Sequence, residues 1–123
     1  MVNRCRTQIY TTGLPPAVLA ASIKAVKIIQ KNPKLVKKPI ENANYFCDIF
    51  KLNKPKSSIV PIILGEEQKV IDACKYLSTN GFLVGGIRPP TVPKNTSRIR
   101  LAFNSSHTKS NIKDLANIIS SLL

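Results

Sequence analysis

The chemically informative residues are Arg88-Pro89-Pro90-Thr91-Val92-Pro93 and, five positions on, Arg98-Ile99-Arg100. Three prolines within five positions remove backbone donors and fix φ, so this loop is stiff before any ligand arrives. Stiffness would hold Arg88 and Thr91 in place. A guanidinium binds a carboxylate through two parallel hydrogen bonds, and a strand fixes its approach better than a mobile loop, which makes Arg100 a candidate carboxylate anchor. The plainer alternative is that Arg98 and Arg100 line a solvated sheet face.

The other reactive side chains carry less. His107 is the only histidine, and spacing assigns it no Ser, Asp or Cys partner. A helix-opening, structural role suits it better than catalysis, which needs an orienting group and a pocket. Glu66-Glu67 sits where a helix N-terminus favours negative charge, so it reads as dipole chemistry and not as an acid/base pair. Gly85-Gly86 lies within a strand pattern without the spacing of a phosphate loop. Cys5, Cys47 and Cys74 are odd in number and far apart, which argues against a disulfide framework and a metal knuckle and suits a reducing cytoplasm.

These residues need elements to hold them. The spacing predicts an extended run over 1–16, then a helix opened by Leu14-Pro15-Pro16. Its stripe Val18, Ala21, Ala25 and Ile28 lies opposite Lys24, Lys27 and Lys31, and Asn32-Pro33 ends it. A second helix is expected from Pro39 to about Leu52, with Ile40, Ala43, Phe46 or Cys47, and Phe50 inward. Ile59–Leu64 reads as a strand whose Pro61 favours an edge. Glu66 to Asn80-Gly81 reads as a helix with Val70, Ile71, Ala73, Cys74 and Leu77 as its stripe. Phe82–Ile87 is expected to be a strand. In the strand Arg98–Phe103, a period of two puts both arginines on one face. Thr108 is the candidate N-cap of a last helix carrying Ile112, Leu115, Ala116 and Ile119. The order αα-βαββα indicates an α+β fold, a short antiparallel sheet with helices packed on one face.

Length and composition set the class. With 123 residues, 43% hydrophobic and 20% charged, the chain suits one globular domain, neither disordered nor fibrous. No apolar run approaches the roughly 18 residues of a membrane-spanning helix, and the start has no secretory h-region. The net charge of +13 would ordinarily suggest nucleic acid. Yet fourteen of the nineteen cations are Lys, beside fifteen Ile and ten Asn. All three residue types use A/T-rich codons, so codon drift explains much of the basicity. Tyr10, Tyr45 and Tyr76 fall on different elements and there is no Trp, so a base-stacking platform is missing.

The motifs together resemble the C-terminal third of the α-oxoamine synthases, pyridoxal-phosphate enzymes of the class II aminotransferase group. Asn3-Arg4-Cys5-Arg6 with Tyr10-Thr11-Thr12 and Pro15-Pro16 resembles that family's N-R-x-R and (F/Y)-S-T-x-x-P-P stretch. Ser58–Gly65 resembles its S-x-I-x-P-x-x-x-G strand. Ile87–Pro93, Arg98–Leu101 and Ser106-His107-Thr108 resemble I-R-P-P-T-V-P, R-L-R-I and A-H-T. The wording I-R-P-P-T-V-P is that of the biotin-pathway branch.

The resemblance implies the C-terminal small domain of a fold-type I transferase over 17–123, led in by 1–16, with the cofactor-binding major domain absent. It implies a decarboxylative condensation of L-alanine with a pimeloyl thioester, carried by CoA or an acyl carrier protein, in a cytoplasmic homodimer. Arg100 would hold the amino-acid carboxylate, Thr91 would bond the acyl or substrate side, and Arg88 would lie nearby. Thr11 and Thr12 would reach the cofactor phosphate of a neighbouring subunit. The family's Schiff-base lysine, ring-stacking His and ring-nitrogen Asp have no counterpart here, so no catalytic residue and no metal ligand is assigned. The chain alone is expected to be inactive and without bound pyridoxal phosphate. The alternatives are one piece of a split enzyme, whose partner polypeptide carries the cofactor domain, and a basic binding module retained after catalysis was lost. Asn95 stands where the family has Gly, which a left-handed backbone would tolerate. Ser110-Asn111 replaces an acidic pair and is expected to weaken the last helix's start.

Overall fold

The computed structural model describes Arg4, Arg6 and residues 13–122. Thr11, Thr12 and most of the expected extended run therefore lie outside the described residues. The elements are α1 (Pro16–Lys31), α2 (Pro33–Ile49), β1 (Ile59–Gly65), α3 (Glu67–Thr79), β2 (Gly85–Ile87), β3 (Ser97–Ala102) and α4 (Lys109–Ser120). The chain divides into two compact units, Met1–Pro33 and Lys34–Leu123.

In the second unit β3 is the central strand of the order β1-β3-β2, and both pairings are antiparallel. The α+β fold read from the sequence is therefore present. Pro61 lies on β1, an edge strand, where a missing N–H costs least. Alternation along the strands sends Val60, Ile62, Ile99 and Leu101 into the core. Ile59, Ile63 and Arg100 stay exposed on the other face. The core is completed by Ala43, Phe46 and Cys47 of α2, Val70, Ala73 and Leu77 of α3, and Ile112, Leu115, Ala116 and Ile119 of α4. Phe46 stacks at a tilt between Phe50 (5.0 Å) and Phe103 (5.4 Å), worth about 0.5–1.5 kcal/mol per aromatic pair beyond area.

Four expectations change. The second helix starts at Pro33, not Pro39: the Asn32-Pro33 step that stops α1 also supplies the first-turn proline of α2, and Pro39 lies inside the helix. On it Ile40 is exposed, and Asn42 is buried instead. The strand expected from Phe82 is only Gly85–Ile87. Its first residues are held by the end of α3, where Phe82 N–H donates to Leu77 O (2.8 Å) and Gly81 N–H to Ser78 O (3.0 Å) around Gly81 at φ 84. That is a Schellman closure, and it leaves Leu83 94% exposed.

The start of α4 is capped even though the acids are missing. Thr108 Oγ1 accepts from Asn111 N–H (3.2 Å) and Asn111 Oδ1 accepts from Thr108 N–H (3.0 Å), so Asn111 completes a capping box. Lastly, α1 has the expected span but buries none of its residues. Asn95 adopts φ 61, the left-handed backbone that Asn tolerates. Among the described residues no helix is long and apolar enough to cross a membrane.

Two substitutions test this packing. A Cβ on Gly86 would stand 2.9 Å from Val70 Cγ1 and 3.1 Å from Cys74 Sγ. Gly86→Ala should cost about 1–3 kcal/mol in urea unfolding, and much less in a Val70→Ala background where the space is open. Asn42 Nδ2 donates to Asn104 O (2.9 Å) and His107 O (3.0 Å), tying α2 to the turn before α4. Asn42→Ala should lower unfolding free energy by about 1–3 kcal/mol, because two carbonyls lose their donor.

Candidate functional site

The open face of the sheet is a strip of alternate residues: Ile59, Pro61 and Ile63 on β1, Arg98, Arg100 and Ala102 on β3, Gly85 and Ile87 on β2. Arg100 stands between Pro61 and Gly85 in register. Its guanidinium lies over Gly85, where a Cβ would meet Nε and one terminal nitrogen at 3.6 Å. Proline on one side and glycine on the other thus leave room for the Arg100 side chain. Arg98 is half-buried and turned back on its own loop, its Nε–H donating to Thr96 O at 3.0 Å.

Among the described residues the ion pairs are Lys54–Asp48 (3.6 Å) and Lys69–Glu66 (3.2 Å), both on the surface. No arginine joins them. Arg100 is therefore an exposed guanidinium, fixed at its root by the central strand and free of a carboxylate. This arrangement can bind a small carboxylate through paired hydrogen bonds, and it holds no group placed for proton transfer.

The loop that follows β2 is built from two turns. Thr91 N–H donates to Arg88 O at 3.0 Å, across the cis Pro89–Pro90 bond. Thr96 donates to Pro93 O through both its N–H (3.2 Å) and its hydroxyl (2.7 Å). The turns set Thr91 and Arg88 at the end of the sheet, both exposed. Arg88 follows Ile87 and so shares the helix-covered side with Gly86. There it faces α3: burial pushes the Cys74 thiol up, and the Arg88 charge pulls it part of the way back. Arg88 and Arg100 thus belong to opposite faces of the sheet.

His107 takes the structural part. Its Nδ1 accepts from Asn104 N–H (3.3 Å), its own N–H donates to Asn104 Oδ1 (3.1 Å), and its ring meets Phe103 edge-on. A cleft of about 430 Å³ runs along this histidine, lined also by Phe82, Leu83, Val84, Ile112 and Leu115. Arg88, Thr91 and Arg100 do not line it. Among the described residues no group of three or more His, Cys, Asp or Glu could hold a metal ion.

Sequence reasoning missed Gly85 and Asn42. The signal for Asn42 was present, since a polar residue four positions before Phe46 interrupts the buried stripe. Gly85 gave none, because the strand pairing that sets it beside Arg100 is long-range.

The aminotransferase class I and II family matches residues 1–119. The chain belongs to that family. Over 123 residues it is 46% identical to an 8-amino-7-oxononanoate synthase of Beijerinckia indica subsp. indica, covering 100% of this chain and 32% of that protein. The chain thus spans about a third of the length of the curated relatives it matches. The crystal structure of 8-amino-7-oxononanoate synthase from Francisella tularensis matches with TM-score 0.79 and 27% identity over 98% of this chain and 36% of that one. Sphingomonas wittichii serine palmitoyltransferase, at 18% identity, shares the fold with TM-score 0.89 over 98% of this chain and 32% of its own.

The Cys74 environment gives a test with a definite sign. A raised thiol holds less thiolate at pH 8, so Cys74 should be alkylated by iodoacetamide more slowly than free cysteine. Arg88→Ala removes the one opposing charge and should slow it further, as read by peptide mass mapping.

Proposed function

We propose that this chain is the carboxylate-holding part of an 8-amino-7-oxononanoate synthase. The reaction condenses L-alanine with a pimeloyl thioester of CoA or an acyl carrier protein, and releases CO2 and the carrier thiol. The observation that carries this reading is Arg100, an unpaired guanidinium laid over Gly85 on the open sheet face. The 46% identity to a named synthase along the whole chain supports the choice of reaction. Arg100 holds the alanine carboxylate and so fixes the orientation of the amino acid's α-carbon. Thr91, on its closed turn, bonds the acyl side, and Arg88 adds positive charge at the end of the sheet.

In the complete enzyme pyridoxal phosphate would supply an electron sink for the amino acid. The described residues do not by themselves fit that cofactor. Their lysines are exposed, save half-buried Lys38 on α2, and the ring of His107 is engaged by Asn104 and Phe103. In this reading the cofactor would be held by the rest of the synthase, Thr11 and Thr12 would bond its phosphate from the neighbouring subunit, and this chain alone would be inactive. Free thiols at Cys47 and Cys74 suit a cytoplasmic setting.

A biotin auxotroph decides between outcomes. The chain supplied together with the other two thirds of the Beijerinckia indica synthase should restore growth, and Arg100→Ala should abolish the rescue. Growth on the chain alone would overturn its inactivity. Rescue that survives Arg100→Ala would remove the anchor role.

A further inference from the structure

Arg98 shares the open face with Arg100 but has no part in holding alanine. It is half-buried, and the sequence places no Asp or Glu between Asp72 and Asp114. Among the described residues it joins no ion pair. A guanidinium drawn partly out of water without a counter-charge is costly, so the position favours an anion. The side chain is also held in advance. Its Nε–H donates to Thr96 O (3.0 Å), and Thr96 is tied in turn to Pro93 O through its N–H (3.2 Å) and its hydroxyl (2.7 Å). That bond uses one donor and leaves both terminal nitrogens to grip a carboxylate.

The surroundings select what carries the anion. Ile63 on β1 and Ile87 on β2 stand opposite Arg98 in register, so its strand neighbours on this face are apolar. Such flanks suit methylenes. Arg100 is rooted two residues along β3, about 6.8 Å away, and the Arg98 side chain turns from it towards Thr96. The acyl chain of the proposed reaction meets these demands. Pimeloyl is an unbranched dicarboxylic chain, and when extended it holds its free carboxylate about 7.5 Å from the thioester carbon that joins alanine.

We infer that Arg98 recognises the far carboxylate of the pimeloyl chain, while Arg100 takes the carboxylate of alanine and Ile63 and Ile87 flank the methylenes. The spacing of the two arginines then selects both the length of the acyl chain and its second acid. The inference rests on the synthase reading of Arg100.

The test titrates the isotope-labelled chain with the N-acetylcysteamine thioesters of pimelate and heptanoate, which match in length and differ in the second acid. In nuclear magnetic resonance spectra the Arg98 Nε–H and the methyls of Ile63 and Ile87 should shift saturably with the pimeloyl thioester. The heptanoyl thioester should bind about tenfold more weakly, the worth of a hydrogen bond to a charged group. Arg98→Gln should abolish this preference, and Arg98→Lys should keep part of it. Equal binding of the two thioesters by the unmutated chain overturns the proposal, whatever the variants do to folding. So do shifts confined to residues away from Arg98. In a mixture with the other two thirds of the Beijerinckia indica synthase, Arg98→Gln should raise KM for the pimeloyl thioester about tenfold and leave that for alanine unchanged. A fall in kcat alone would overturn the assignment. An Arg98-dependent preference in a mixture that makes no 8-amino-7-oxononanoate would remove the synthase reading and leave the site standing. Product formed with a preference that survives Arg98→Gln would do the reverse.

Discussion

Everything in the second unit depends on the central position of β3. A strand paired on both sides has no freedom to rotate, so its two-residue period becomes a fixed assignment of faces. Ile99 and Leu101 are committed to the core, and Arg98 and Arg100 to the opposite side. The hydrophobic burial that holds the sheet to α2, α3 and α4 is therefore also what aims the guanidinium. Arg100 needs no ion pair to orient it, because its root is set by neighbours on both sides, and it stays free for a ligand.

Much of this was legible because it is local. The alternation in Arg98–Phe103, the apolar stripes of α3 and α4, Pro61 on an edge and Thr108 as a cap all follow from spacing within a few residues. Misreadings arose where one residue serves two elements. Pro33 stops one helix and starts the next, and Phe82 belongs to the end of α3 before it can belong to a strand. Asn111 does lack the favourable charge, and what the sequence reading overlooked is that its amide supplies a reciprocal cap bond.

The candidate site was legible in part. Motif spacing singled out Arg100, Thr91 and Arg88, and the stiffness expected of the proline loop corresponds to two hydrogen-bonded turns. Spacing alone did not reveal that Arg88 turns towards α3 while Arg100 occupies the open face. That separation follows from β2 carrying Gly86 and Arg88 on one side and Gly85 and Ile87 on the other, a parity seen once the short strand is in register.

The bonds from Asn42 to residues 104 and 107 have a consequence for how the molecule is made. During synthesis α2 leaves the ribosome long before its partners exist, with Phe46, Cys47 and the Asn42 amide facing a core that has not been assembled. Closing the gap must wait until the turn before α4 has been translated, so the second unit cannot acquire its native packing piecemeal from its N-terminal side. Until that turn is made the nascent chain carries an exposed, half-finished helix, and it is in that interval that holdase chaperones would find it.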